Sequence, residues 1–209
     1  MRRICLLGPN SGIGKVILKH IAELPDTTIT KVVRQRSTDE NEVFWDYASC
    51  PPDAIVNADI VINCARSKDF AYNVRFNAIL YKSLSQTTKF INFSSNCIYA
   101  RPNGWFANLL FAGDAYIREK KAVEKMNTSP NHLLIRPTIV VGESSWDAFL
   151  SNVKAAQKVF VPSYAKSSKL KIITTEEVAL AVRDLIRDNF AKQFEGELYT
   201  KTLARPIVY

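Results

Sequence analysis

Residues 6–15 read LLGPNSGIGK, a short apolar run that passes into a helix-like segment through Gly8, Gly12 and Gly14. Glycine lets the chain turn tightly and lets backbone approach a ligand closely, and the amino end of a following helix offers N–H donors and partial positive charge. A glycine trio alone is weak evidence, because ordinary tight turns use the same residue. Its setting strengthens the reading. RICLLG is followed by GKVILKHIAEL, TITKVVR, DAIVNADIVINCA, FNAILYKSLSQ and KFINFSS, so strand-like runs alternate with helix-like ones. Such alternation predicts an α/β fold, a parallel sheet covered by helices on both faces. A glycine turn after the first strand is then where a dinucleotide would be held, and its candidate contacts are Gly8, Asn10, Ser11, Gly12, Ile13 and Gly14.

Beyond KFINFSS come a charged helix around Tyr116, the run HLLIRPTIVVG, a helix-like WDAFLSNVKAAQK, a short KLKIIT strand and the segment TTEEVALAVRDLIRDNF. The last is punctuated as a helix. Thr174 or Thr175 can cap it, Glu176 and Glu177 suit its positive end, and Val178, Ala181, Val182 and Leu185 recur at helical spacing. Between the two halves, RPNGWFANLLFA (101–112) breaks the alternation and reads as a loop bordering the crevice beyond the strand ends.

The chain has 209 residues, 47% of them hydrophobic, enough for one large core and hardly enough for a second domain. The expectation is a single domain over 1–209. No apolar run approaches the roughly 18 residues of a membrane-spanning helix, and Met1-Arg2-Arg3 leads into an apolar segment without a small-residue cleavage site, so a soluble, cytoplasmic protein is expected. Cys5, Cys50, Cys64 and Cys97 lie far apart, which suits neither a metal ligand set nor a disulfide framework. No metal is expected. The net charge of +8 raises a nucleic-acid reading, but the lysines and arginines are scattered among acids and no basic-aromatic interleaving forms a stacking platform. A basic pocket for a small polyphosphate, or plain surface solubility, accounts for the balance as well.

With the glycine turn, the chain resembles the short-chain dehydrogenase/reductase superfamily, whose fold is a Rossmann-type doubly wound sheet. GPNSGIG satisfies that superfamily's G-x-x-x-G-x-G form, while Gly8, Ser11 and Gly14 fall on the G-x-x-G-x-x-G form of its extended, sugar-nucleotide-modifying branch, with serine in the middle place. The resemblance implies a bound nicotinamide dinucleotide. Where an NAD-binding relative would carry a carboxylate for the adenosine ribose, VVRQRS carries Arg34 and Arg36, which favours NADP over NAD by offering a grip for a 2′-phosphate. Both arginines projecting into water is the plainer alternative. FWDY places Asp46 and Tyr47 near the adenine edge, and DIVINCAR places Asn63, Cys64 and Ala65 beside the cofactor. Asn77 falls where the family has a helix asparagine.

The same resemblance assigns a catalytic set. KFINFSSNCIY aligns Ser95 with the family's catalytic hydroxyl, Ser94 being the fallback, and Tyr116 with Lys120 supplies the tyrosine and the lysine four positions later. Tyrosine, with an ordinary pKa of about 10, becomes an acid/base group near neutrality only beside positive charge, and positions i and i+4 share one helix face. The serine would fix the substrate oxygen whose proton moves. Glu119, Lys121, Glu124 and Lys125 are expected on the solvated face. In HLLIRPTIVVGE, Arg136 and Pro137 read as structural, with Pro137, Thr138, Ile139 and Val140 bordering the nicotinamide side. KLKIITTEEVALAV matches the strand, acidic residue and helix that close extended members.

Departures narrow the reading. The substrate part, mainly 142–175, is small for the extended branch, and Asn96-Cys97 stands where dehydratases carry Asp-Glu. The expected activity is oxidation, reduction or epimerisation at a carbonyl or hydroxyl carbon, with a sugar nucleotide as one candidate substrate. A non-catalytic NAD(P)-binding regulatory or assembly protein is the alternative. The expected partners are a small-molecule substrate and a second copy in a homodimer, not a membrane and not nucleic acid.

Overall fold

The computed structural model describes residues 1–35, 39–95, 98, 115–137, 139–141 and 172–190. In chain order these form β1 (Arg2–Leu7), α1 (Gly12–Ile21), β2 (Thr27–Val33), β3 (Glu42–Phe44), α2 (Asp53–Val56), β4 (Ile60–Asn63), α3 (Phe70–Ser83), β5 (Lys89–Phe93), α4 (Ala115–Lys125), β6 (His132–Ile135), β7 (Ile139–Val141), β8 (Ile172–Thr174) and α5 (Thr175–Arg187). Six strands make one sheet in the order β3-β2-β1-β4-β5-β6, and every pairing in it is parallel. This is the doubly wound Rossmann order, in which the connection reverses direction at β1 and β4 and leaves a crevice beyond their carboxyl ends.

Alternation along β1 divides the core. Ile4 and Leu6 face one side with Ile17 and Ile21 of α1 and with Val178, Val182 and Leu185 of α5. Cys5 and Leu7 face the other with Phe76 and Leu80 of α3, Trp45 and Ile55. Period two along a strand sends neighbours to opposite faces, and a central parallel strand buries both. Each fully buried aliphatic or aromatic side chain contributes roughly 1.5–3 kcal/mol by leaving water.

Three predicted elements differ in extent. DAIVNADIVINCA holds two elements: Pro52 precedes the one-turn α2, Asn57 closes it, and Ile60–Asn63, within the DIVINCAR that resembles the family's fourth strand, enters the sheet. Pro52 fixes the entry and Asp53 suits the helix start, so local punctuation overrides the run of apolar residues. HLLIRPTIVVG is likewise divided at Arg136-Pro137. β6 stays in the main sheet, whereas β7 pairs in parallel with β8, because proline supplies no N–H to continue the ladder. The helix of FNAILYKSLSQ begins earlier, at Phe70, where the Asp69 side chain accepts from the Tyr72 amide at 3.0 Å.

Of the two candidate caps of α5, Thr174 is the one used. Thr174 Oγ1 accepts from the Glu177 amide at 3.1 Å while the Glu177 carboxylate accepts from the Thr174 amide at 2.9 Å, a reciprocal capping box. The helix lies against α1, and His20 Nε2 and Glu176 Oε1 meet at 2.6 Å across the contact. The loop 101–112, the helix of WDAFLSNVKAAQK and nearly all of the substrate part 142–175 lie outside the described residues.

Candidate functional site

The glycine turn sits at the switch point of the sheet. Gly8 has φ +71°, and a Cβ there would lie 2.7 Å from both the Cα and the N of Ala65 and 2.9 Å from the Cys64 carbonyl carbon. Only glycine allows the turns after β1 and β4 to touch in this way. Gly14 is required for another reason: its Cβ would lie 2.2 Å from the Gly8 carbonyl oxygen. Gly12 meets nothing within 4 Å, so open space lies over the first residue of α1. Ser11, in the middle place of the motif, turns its hydroxyl inward, donating to the Gly8 carbonyl at 2.9 Å and accepting from the Gly14 amide at 3.0 Å. The serine closes the turn. The Gly12 and Ile13 amides lead a helix that carries no acidic residue in its first turn, which leaves its positive end suited to an anion. Asn10 is exposed beside them.

Arg34 follows β2 directly and is exposed; Arg36 lies outside the described residues. Gly8 donates its amide to the Val32 carbonyl at 3.2 Å, which brings the end of β2 beside the glycine turn. The Asp46 carboxylate accepts from the Ala48 and Ser49 amides and the Ser49 hydroxyl, and these bonds hold it below the usual carboxylate range. Tyr47 is buried at φ +62°, its ring stacked on Phe76 at 5.1 Å, and burial pushes its phenol upward. Its place is in the core beside Trp45. Cys64 is buried too, with its thiol raised by desolvation.

Asn63 is engaged inside the fold. Its Nδ2 donates to Asn77 Oδ1 at 3.2 Å and to Asn92 Oδ1 at 3.1 Å, while its Oδ1 accepts from the Ala65 amide at 3.1 Å. Asn92 in turn donates to Asn77 Oδ1 at 2.9 Å and to the Tyr81 hydroxyl at 3.3 Å. β4 and β5 pair with Ile62 opposite Ile91 and Asn63 opposite Asn92, so two Ile-Asn strand endings stand side by side under Asn77 from α3. A buried amide is stable only when it finds partners, and these three satisfy one another while shaping the turn after β4.

α4 packs against α3 and reaches the end of β5. Lys120 Nζ donates to the Phe93 carbonyl at 2.8 Å, at the last residue of β5 and immediately before Ser94-Ser95. Ser94 is buried, and its hydroxyl has no hydrogen-bond partner among the described residues; Ser95 is only half-buried. Tyr116 is partly buried, with Lys120 Nζ 5.7 Å and Arg66 Cζ 4.5 Å from the centre of its ring.

Two charges expected in solvent are instead paired within the fold, Glu119 buried and Glu124 partly so. The Glu119 side chain is 2% exposed, accepting from Asn73 Nδ2 at 3.0 Å and lying 3.6 Å from Lys120 Nζ and 3.8 Å from Arg66. Glu124 forms a two-pronged pair with Arg136 at 2.8 and 3.0 Å, which ties α4 to the end of β6. Both carboxylates find cations on neighbouring elements, and helical spacing alone does not reveal those cations. Lys121 and Lys125 are exposed, as expected. Pro137 is buried; Thr138 lies outside the described residues, as do the side chains of Ile139 and Val141. Sequence reasoning missed Arg66, Asn73 and Asn92. For Asn92 a signal was present, an amide within the apolar KFINF that repeats the Ile-Asn of DIVIN.

A glycine turn at the switch point of a six-stranded, all-parallel sheet makes this a Rossmann-type α/β fold. Particular solved structures share it. Human epimerase family protein SDR39U1 (isoform 2) with NADPH superposes with a TM-score of 0.62 at 16% identity, over 90% of this chain and 71% of that one. UDP-N-acetylglucosamine 4-epimerase from Bacillus cereus gives 0.59 at 14% identity, over 87% and 72%. A wide-type short-chain dehydrogenase/reductase from Veillonella parvula in complex with NADP gives 0.56 at 15% identity, over 91% of each chain. No protein-family model and no curated protein sequence matches the chain. No helix among the described residues is long and apolar enough to cross a membrane.

Proposed function

We propose that the protein is an NADP(H)-dependent oxidoreductase or epimerase of the short-chain dehydrogenase/reductase type, acting at a carbonyl or hydroxyl carbon of a small molecule, with a sugar nucleotide as one candidate. The observation that carries this reading is the Lys120 ammonium anchored on the Phe93 carbonyl, beside the Ser94-Ser95 strand end and on the same helix as Tyr116. Supporting it, the cradle of Gly8, Ser11, Gly12 and Gly14 fits a pyrophosphate: a Cβ at Gly8 or Gly14 would collide, one at Gly12 would not, and the helix start is free of acids. Arg34 at the end of β2 favours the 2′-phosphate of NADP. Two of the similar structures, the human and the Veillonella proteins, are complexes with NADPH and NADP.

When bound, the nicotinamide would accept or supply the hydride. The protein's own part is proton transfer and placement. Tyr116 would give or take the proton at the substrate oxygen, Lys120 would favour its charged form, and Ser95 would hold that oxygen in line. Ser95 fits this role better than Ser94, whose hydroxyl is buried. A homodimer would complete the small substrate part.

The test is a comparison of NADPH and NADH binding, together with NADPH oxidation over a panel of ketones, aldehydes and keto-sugar nucleotides. Tyr116→Phe should bind NADPH as the parent does and lose turnover by on the order of 10²–10⁴-fold. Equal affinity for the two cofactors would sink the Arg34 argument. NADPH binding with no turnover on any member of the panel would favour the non-catalytic binder.

A further inference from the structure

The geometry points to Arg66 as a positioning residue that supplies a second cation to Tyr116, and to Glu119 as the buried carboxylate that holds both cations in place. This inference rests on the acid/base role proposed for Tyr116. Arg66 follows the turn after β4, and its guanidinium lies over the Tyr116 ring at 4.5 Å and near Phe70 at 5.4 Å. Lys120 Nζ approaches the same tyrosine ring at 5.7 Å. Two cations from different elements therefore flank one phenol. Cation–π attraction acts on either form of the ring, but a full negative charge on the oxygen is attracted far more strongly, so the pair favours the phenolate.

Such an arrangement requires something to keep two like charges together. Glu119 is 2% exposed in its side chain and lies 3.6 Å from Lys120 and 3.8 Å from Arg66. Its orientation is fixed by the loop after β4. Asn73 Nδ2 donates to Glu119 Oε2 at 3.0 Å and to the Ser67 carbonyl at 2.9 Å, while Asn73 Oδ1 accepts from the Ser67 amide at 2.8 Å. The carboxylate thus joins α4, α3 and the Arg66 loop at one point. Arg66 from the β4–α3 loop and Lys120 from α4 lie against the Tyr116 ring, and Glu119 from α4 lies against both cations.

The test is a titration of tyrosinate absorbance on the full chain, with Tyr116 isolated by subtracting the Tyr116→Phe curve made in the same background. Arg66→Met should raise the Tyr116 pKa by about one unit, and Arg66→Lys should restore part of that shift. Glu119→Gln reads the positioning role by sign. Removing a bare negative charge would lower the tyrosine's pKa, whereas releasing two cations from the ring raises it, and a rise is expected. Circular dichroism confirms folding, and Arg66→Lys keeps the question answerable if Arg66→Met does not fold. An unshifted Arg66→Met curve would overturn the role of Arg66, and a downward shift in Glu119→Gln would overturn that of Glu119. Neither reading needs a substrate. A Tyr116→Phe protein that still turns over would defeat the proposed function alone, and an unshifted titration beside a dead Tyr116→Phe would defeat this inference alone.

Discussion

Gly8 and Ala65 touch so closely that any side chain on Gly8 would occupy the backbone of its neighbour, with Cβ 2.7 Å from Ala65 Cα. The contact joins the turns after the two central strands and sets the floor of the crevice. Gly8→Ala should therefore destabilise the fold by on the order of 3 kcal/mol, through its left-handed φ and the collision together, and abolish NADPH binding. Gly12→Ala should leave the melting temperature unchanged or slightly raised, since its Cβ meets open space. Thermal melts of the two variants side by side check the contrast, and equal losses would refute it.

The reciprocal cap between Thr174 and Glu177 holds the start of α5 against α1. Thr174→Ala should cost about 1 kcal/mol, seen as a fall in melting temperature of about 2–4 °C. Thr174→Asp, which can also cap, should recover most of it. A Thr174→Ala melt identical to the parent's would show that packing alone sets this helix.

His132 should make the protein acid-sensitive. Its ring lies 5.4 Å from Tyr81 and 5.5 Å from Phe90, neither of its nitrogens has a hydrogen-bond partner among the described residues, and burial holds its pKa below the ordinary 6.5. As pH falls through that ordinary value the unfolded chain takes up the proton first, so the stability this group contributes above it is lost on acidification. Melting temperature should decline between neutrality and pH of about 5, and His132→Phe should flatten that decline. Matching acid limbs in parent and variant would exclude His132 as the cause.

Burial acts in the opposite pH range on other groups. The Cys5 thiol and the Tyr81 phenol are each pushed up to about 12 by desolvation, so above their ordinary values of 9.0 and 10.0 the unfolded chain releases protons that the folded chain keeps. Stability should fall with rising pH there, by about 1.4 kcal/mol per unit for each such group. Cys5→Ala should soften the slope. In the folded protein near neutrality, thiol alkylation read by mass spectrometry should modify the exposed Cys50 and spare Cys5 and Cys64.

Much of the fold was legible because it depends on local chemistry. The glycine turn, the strand–helix alternation and the Thr174 cap each follow from residues a few positions apart, and the sheet order accords with them. Extents are less legible from the apolar runs alone, which show that a segment is buried but not where Pro52 or Pro137 divides it. Burial of Glu119 and the pairing of Glu124 were illegible, since a charged helix face reads as solvated unless its partners are known. Those partners, Arg66 and Arg136, come from other elements of the chain.

By itself the sequence determined a parallel α/β sheet with a glycine turn after its first strand and placed Tyr116 and Lys120 one helical turn apart. Tertiary structure alone decided which groups surround them. It set the β4 turn against Gly8, paired Asn63 with Asn92, and brought Arg66 over the Tyr116 ring. Helix and strand periods fix which residues of one element share a face, but the field at a side chain is set by charges from every element within a few ångströms, and that proximity exists only after the sheet has closed.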